Sequence, residues 1–176
     1  LQQKKYAIAL VGNQETTMKS FFERYVTEHP EVTYVYRKND NGEFKYYTNS
    51  SDSPIGGGIR EDYVNIIRSS KVTLYATSML YGARDGHKNF NHVTPRFLEL
   101  LAAGCHVLCR YIPNEDTKHF ELEKFCPSIE LYQQFEMLMD KALKETIEID
   151  KYASYLKKHY TSVRAQQLKE ILSRYE

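Results

Sequence analysis

Residues 6–11, Tyr6-Ala7-Ile8-Ala9-Leu10-Val11, form a short unbroken apolar run closed by Gly12-Asn13, and a helical pattern follows over residues 17–28. A run of that length without polar alternation predicts a strand buried on both faces. Pro30 ends the helix and residues 32–36 alternate as a second strand, so the chain opens as a β-α-β unit of a parallel sheet. Further on, Tyr63, Ile66 and Ile67 stand at helical spacing within residues 62–69, and residues 72–76 read as a third strand. Thr94-Pro95 sets a hydroxyl cap before a proline at the first helical position, and Gly104 stops the helix that follows. The pattern then predicts strands over residues 106–111 and 129–132 and helices over residues 133–145 and 151–175, leaving residues 38–42, 48–58 and 82–92 as loops. Helices alternating with buried-type strands predict a doubly wound α/β fold: one mostly parallel, Rossmann-like sheet with helices on both faces. Ligands of such sheets bind at the carboxyl ends of the strands, which directs attention to the loops after Val11, Ala76 and Tyr111.

Composition narrows the classes. In 176 residues, 24 Lys and Arg face 23 Asp and Glu, a net charge of +1, which argues against a whole-surface attraction to nucleic acid or anionic lipid. With 41% hydrophobic and 27% charged residues the chain is of ordinary globular composition, and no apolar run nears the roughly 20 residues of a membrane helix. The chain begins Leu1-Gln2-Gln3 with neither Met nor a secretory signal, and reads as a piece of something longer. Cys105, Cys109 and Cys126 have no C-x-x-C spacing; they read as buried thiols of a reduced, cytoplasmic protein with no metal site.

The most informative segment is residues 91–108. Its helix is apolar at Phe97, Leu98, Leu100, Leu101, Ala102 and Ala103, leaving Arg96 and Glu99 to share the remaining stripe. A carboxylate on so apolar a helix needs a partner. One reading is an Arg96–Glu99 ion pair. The other gives Glu99 the hydroxyls of a ligand, with Arg96 and the early-turn amides facing an anion. Arg84 and Lys88, in the preceding loop, read as solvated charges, and His87 and His92 as surface histidines without metal-ligand spacing. Gly56-Gly57-Gly58 lacks the residues of a phosphate loop and reads as a connection, while Tyr34, Tyr36, Tyr46 and Tyr47 read as sheet packing and Lys157-Lys158-His159 as a solvated helical face.

The string Arg96-Phe97-Leu98-Glu99-Leu100-Leu101-Ala102-Ala103-Gly104 resembles the R-F-x-E-x-x-A-x-G signature of group 1 glycosyltransferases, particularly their spore-maturation-protein-like branch. Ser70 to Leu74 resemble the strand start S-K-(I/V)-x-L of that family, residues 159–168 its Y/H-x-x-x-R-A-x-Q-L-L tail, and residues 6–13 the strand that opens its second domain. The resemblance implies a carboxy-terminal, nucleotide-sugar-binding domain of a two-domain enzyme of the B-type architecture, whose missing amino-terminal domain would bring a glycan or other hydroxyl acceptor. No cofactor is implied beyond the nucleotide diphosphate sugar that serves as donor substrate. It assigns Glu99 to the donor ribose. For the diphosphate, Arg96 is the first choice from its place on the first helical turn beside the amide dipoles; Gly12-Asn13 would admit a phosphate or sugar close to the backbone, and a tight strand-to-helix turn explains the glycine equally. Retaining relatives carry a further Glu eight residues earlier, where this chain has Asn91, a group able to hydrogen-bond sugar or phosphate but unable to ionise. A non-catalytic nucleotide- or glycan-binding module of the same fold is the alternative, and a doubly wound signalling domain binding a protein is a third reading.

Overall fold

The computed structural model describes residues 3–81 and 91–174. Six strands form one sheet, β1 (Tyr6–Leu10), β2 (Tyr34–Asp40), β3 (Glu43–Thr48), β4 (Ser51–Gly56), β5 (Ser70–Ala76) and β6 (His106–Arg110), in the order β4-β3-β2-β1-β5-β6. Pairs β1–β2, β1–β5 and β5–β6 are parallel, and β2–β3 and β3–β4 antiparallel. The helices are α1 (Thr16–Glu28), α2 (Arg60–Arg68), α3 (Arg96–Ala102), α4 (Glu115–His119), α5 (Tyr132–Lys144), α6 (Ile149–Lys157) and α7 (Thr161–Leu172). The mostly parallel, Rossmann-like sheet is therefore present, extended on one side by an antiparallel hairpin.

Local chemistry accounts for the elements that frame the sheet's carboxyl edge. Ile8, Ala9 and Val11 are fully buried, so β1 lies at the centre of the sheet. Helix α1 starts where the Glu15 carboxylate accepts from the Met18 amide at 2.8 Å, and it buries Met18, Phe22 and Tyr25. Tyr25 donates to Asp140 at 2.7 Å and Phe21 packs on Phe135 at 5.9 Å, which joins α1 to α5. Helix α3 packs against β6 and α6. It ends as expected: Gly104, at φ +66°, lets the chain leave in the left-handed conformation.

Five expectations need correction. Residues 38–42 are not a loop: residues 38–40 complete β2, and Asn41 at φ +52° and Gly42 at φ +89°, the conformation an Asn-Gly pair adopts cheaply, turn the chain into its hairpin partner β3. Residues 51–56 form the edge strand β4, where Pro54 costs no ladder bond. The strand expected at residues 129–132 is absent, because Pro127 precedes it and α5 begins at Tyr132, leaving the bond from the Ile129 amide to the Cys109 carbonyl, 3.0 Å, along β6. Finally, the helix expected over residues 151–175 is two helices, divided where Tyr160 turns extended at ψ 143°. At the start of α3 the Thr94 hydroxyl does not cap; it lies 3.5 Å from the Tyr75 hydroxyl.

Candidate functional site

Going along the sheet from β1, the chain moves to β2 on one side, while β5 lies on the other. The loops after β1 and β5 thus diverge, and a crevice opens between them at their carboxyl ends, where doubly wound sheets bind ligands. A cavity of about 350 Å³ lies there, lined by Asn13, Ser78, Thr94 and Arg96. Three of the expected residues meet at this point. Gly12 has φ +72°, and a Cβ built on it would stand 2.3 Å from a terminal nitrogen of Arg96, so only glycine admits that guanidinium against the turn. Arg96 Nη1 in turn donates to the Asn13 carbonyl at 3.3 Å. The turn is tied by Gln14, whose side-chain nitrogen donates to the Val11 carbonyl at 2.8 Å.

A fourth residue completes this cluster. Arg37, midway along β2 and one residue past the last pair with β1, donates through Nη2 to Asn13 Oδ1 at 2.9 Å and stacks its guanidinium 4.1 Å from the centre of the Phe44 ring. Among the described residues neither Arg37 nor Arg96 has a carboxylate partner. Two guanidiniums thus converge on one asparagine from different elements, and each offers planar donors suited to a phosphate. Sequence reading passed over Arg37 because the strand carrying it was cut short at residue 36. The Asn41-Gly42 turn was the signal that would have extended it.

Glu99 is not the partner of Arg96. Its carboxylate takes a two-pronged contact from Arg60, at 2.7 and 3.1 Å, and a third bond from the Tyr63 hydroxyl at 3.0 Å, both from α2. Arg60 and Tyr63 hold its carboxyl below the usual range, while partial burial works the other way; burial, with the same carboxylate next, pushes the Tyr63 hydroxyl up. About a third of the Glu99 side chain remains exposed, so the carboxylate keeps room for a further donor. The early-turn amides of α3 are partly engaged, since the Phe97 amide donates to the Thr94 carbonyl at 3.0 Å.

Asn91 stands apart from the cluster. Its side-chain nitrogen donates to the Ile112 carbonyl at 2.7 Å and its carbonyl accepts from the Asn114 amide group at 2.5 Å, stapling the segment before α3 to the loop after β6. Its Oδ1 is buried without a partner among the described residues. His92 Nδ1 lies 2.8 Å from the Ser78 hydroxyl. Arg84, His87 and Lys88 lie outside the described residues. Residues 56–58 connect β4 to α2, with the Gly57 amide donating to Asp62 at 2.7 Å, and Tyr36 stacks on Tyr47 across strands at 5.9 Å. Among the described residues no group of three His, Cys, Asp or Glu is placed to hold a metal ion, and no helix is long and apolar enough to cross a membrane.

The glycosyl transferase-like family model matches residues 33–170. Strand β1 and its turn precede the matched stretch but are bound into it by the sheet and by Arg37 and Arg96. No curated protein and no solved structure gives a match.

Proposed function

The chain belongs to the glycosyl transferase-like family, and from that premise we propose that it is the donor-binding domain of a glycosyltransferase, the carboxy-terminal half of a two-domain enzyme of the spore-maturation-protein-like branch. The reading rests on one observation, the pair of guanidiniums that, among the described residues, have no carboxylate partner and meet the glycine turn at the sheet's switch point. Glycosyl transfer from a nucleotide diphosphate sugar breaks the bond between the anomeric carbon and the diphosphate oxygen, and negative charge grows on that oxygen. Fixed cations preorganised beside it stabilise that added charge more than they stabilise the ground state, in which the same oxygen is still bonded to the sugar.

In this reading Arg96 and Arg37 hold the diphosphate, Gly12 lets it approach the backbone, and Asn13 presents an amide edge to the sugar or phosphate once the arginines turn to the ligand. Glu99 takes the ribose hydroxyls on the lone pairs that Arg60 and Tyr63 leave open; these two partners keep it ionised and aimed. Asn91 contributes by fixing the loop before α3. An acceptor hydroxyl, on a glycan or polysaccharide precursor, would come from the amino-terminal half, in the cytoplasm. The chain by itself then binds donor but does not turn it over, because bringing donor and acceptor together is a large part of the rate.

Calorimetric titration with UDP, GDP, ADP and dTDP sugars tests the proposal. Saturable binding of at least one, competed by its nucleoside diphosphate, is expected; binding of none would refute it. Turnover by the longer enzyme separates this reading from a non-catalytic binding module of the same fold.

A further inference from the structure

The tail over residues 159–168 begins beside Glu99, with which His159 and Tyr160 line a cavity of about 460 Å³, and it holds an unusual contact away from the Asn13 cluster. Arg164 Nη2 lies 3.0 Å from His119 Nε2 and 2.8 Å from His159 Nδ1. A guanidinium only donates and does not lose its proton, so both imidazole nitrogens facing it must be acceptors. Each ring is therefore neutral, with its proton on the opposite nitrogen. Protonating either ring would turn an acceptor into a donor and set one cation against another.

The contact is also the main anchor of an entire helix. Every residue of α7 is exposed except Arg164, and none is buried. His119 ends α4, and His159 sits between α6 and α7 with its ring 5.1 Å from Phe120 and 4.6 Å from Tyr155. A helix of this length has little stability on its own, so α7 is ordered by what it docks to. We propose that His119, Arg164 and His159 form an acid-released latch that fixes α7 to the rest of the domain. The proposal is independent of the donor-site reading.

The surrounding charges favour release in acid. Burial, with Arg164 and His119 next, lowers the His159 pKa from its ordinary value, whereas Glu121 acts in the opposite sense. That carboxylate is shared between Lys124 at 2.7 Å and Lys158 at 3.5 Å, and Lys118 on α4 is paired with Glu115 at 2.8 Å. Arg164 also donates to Gln167 on its own helix at 3.3 Å, a bond that does not tie α7 to anything else. Since the docked state holds His159 neutral more strongly than the undocked one does, the docking contribution is complete above the ordinary histidine range and is lost as pH falls through the lowered value.

Amide hydrogen exchange of the whole chain, corrected for the intrinsic pH dependence of exchange, provides the test. Between about pH 7.5 and about pH 5.5, a span on either side of the ordinary histidine pKa, protection of α7 should fall roughly tenfold while that of α5 stays constant. Arg164→Gln should leave α7 unprotected at both pH values. The double variant His119→Gln/His159→Gln keeps acceptors that do not take up protons, and its α7 should show no pH dependence. The latch is refuted if α7 of the parent keeps its protection in acid, if α5 loses protection together with α7, if Arg164→Gln leaves α7 protected at about pH 7.5, or if the double variant still responds to pH.

Discussion

Two arginine sites stand at the same carboxyl edge of the sheet and are built on opposite plans. Arg110, the last residue of β6, donates to Glu15 at 3.1 Å and to Glu130 at 3.3 Å; its side chain is 20% exposed and that of Glu15 only 5%. Arg37 and Arg96 converge on Asn13 with no carboxylate between them among the described residues. A buried charge has to be answered, and at Arg110 the protein answers it internally. Around Asn13 the two guanidiniums are only partly buried, and among the described residues neither is paired with a carboxylate, which leaves both open to an anion that arrives. The comparison teaches how to sort charges at such an edge: neutralised ones hold the scaffold, and those that converge uncompensated mark where an anion binds.

The largest effect should come from the scaffold side. Arg110→Met leaves the Glu15 carboxylate buried without its cation, and breaking a buried pair in this way costs about 3–5 kcal/mol. Urea unfolding would measure it, and a loss below about 1 kcal/mol would mean that Glu15 finds water or another donor, erasing the contrast between the two sites. Next in size is Gly12→Ala. The φ of +72° and the Arg96 guanidinium 2.3 Å from the new Cβ make the turn strained whatever else moves, so stability should fall by about 1–3 kcal/mol with donor binding lost alongside it. A variant of parental stability would show that Arg96 has room elsewhere and is not seated on the turn.

These residues also show how much could be read in advance. The apolar run of β1, the helix of Tyr63, Ile66 and Ile67, and the Thr94 to Gly104 segment carry their own periodicity and stops, and each formed where the pattern put it, to within a residue or two. What the pattern missed depends on partners distant in sequence. Glu99 has an obvious neighbour three residues away in Arg96, but its actual partners are Arg60 and Tyr63, 39 and 36 residues away. Residues 129–132 are apolar enough for a strand, yet α5 claims them from Tyr132 onward. Arg37 was legible in principle, through the Asn41-Gly42 turn that pairs it with Tyr46.

Glu99→Gln sharpens the comparison from the binding side. If Glu99 takes the ribose hydroxyls, nucleotide affinity should fall by about 1.5–3 kcal/mol, the scale of a hydrogen bond to a charged group. Unchanged affinity would reduce Glu99 to an anchor between α2 and α3. The smallest effect concerns pH. Arg60 is the main cause of the lowered Glu99 pKa, so the carboxylate's contribution is complete above the ordinary value and lost only as pH falls through the lowered one. With Arg60→Met the acid limb of nucleotide binding should move upward. Titration at a series of pH values would reveal it, and an unmoved limb would assign the limb to another group.

The central claim, that the uncompensated guanidiniums at Asn13 are there for a diphosphate, is tested most directly by comparing ligands that differ only in their phosphates. Dissociation constants of a nucleoside diphosphate and of the matching nucleoside would be measured for the parent and for Arg96→Met. The account predicts that the substitution weakens the diphosphate by roughly tenfold or more, the loss expected for one charged hydrogen bond, and leaves the nucleoside unchanged. Equal weakening of both ligands, or diphosphate binding that survives the substitution intact, would contradict it.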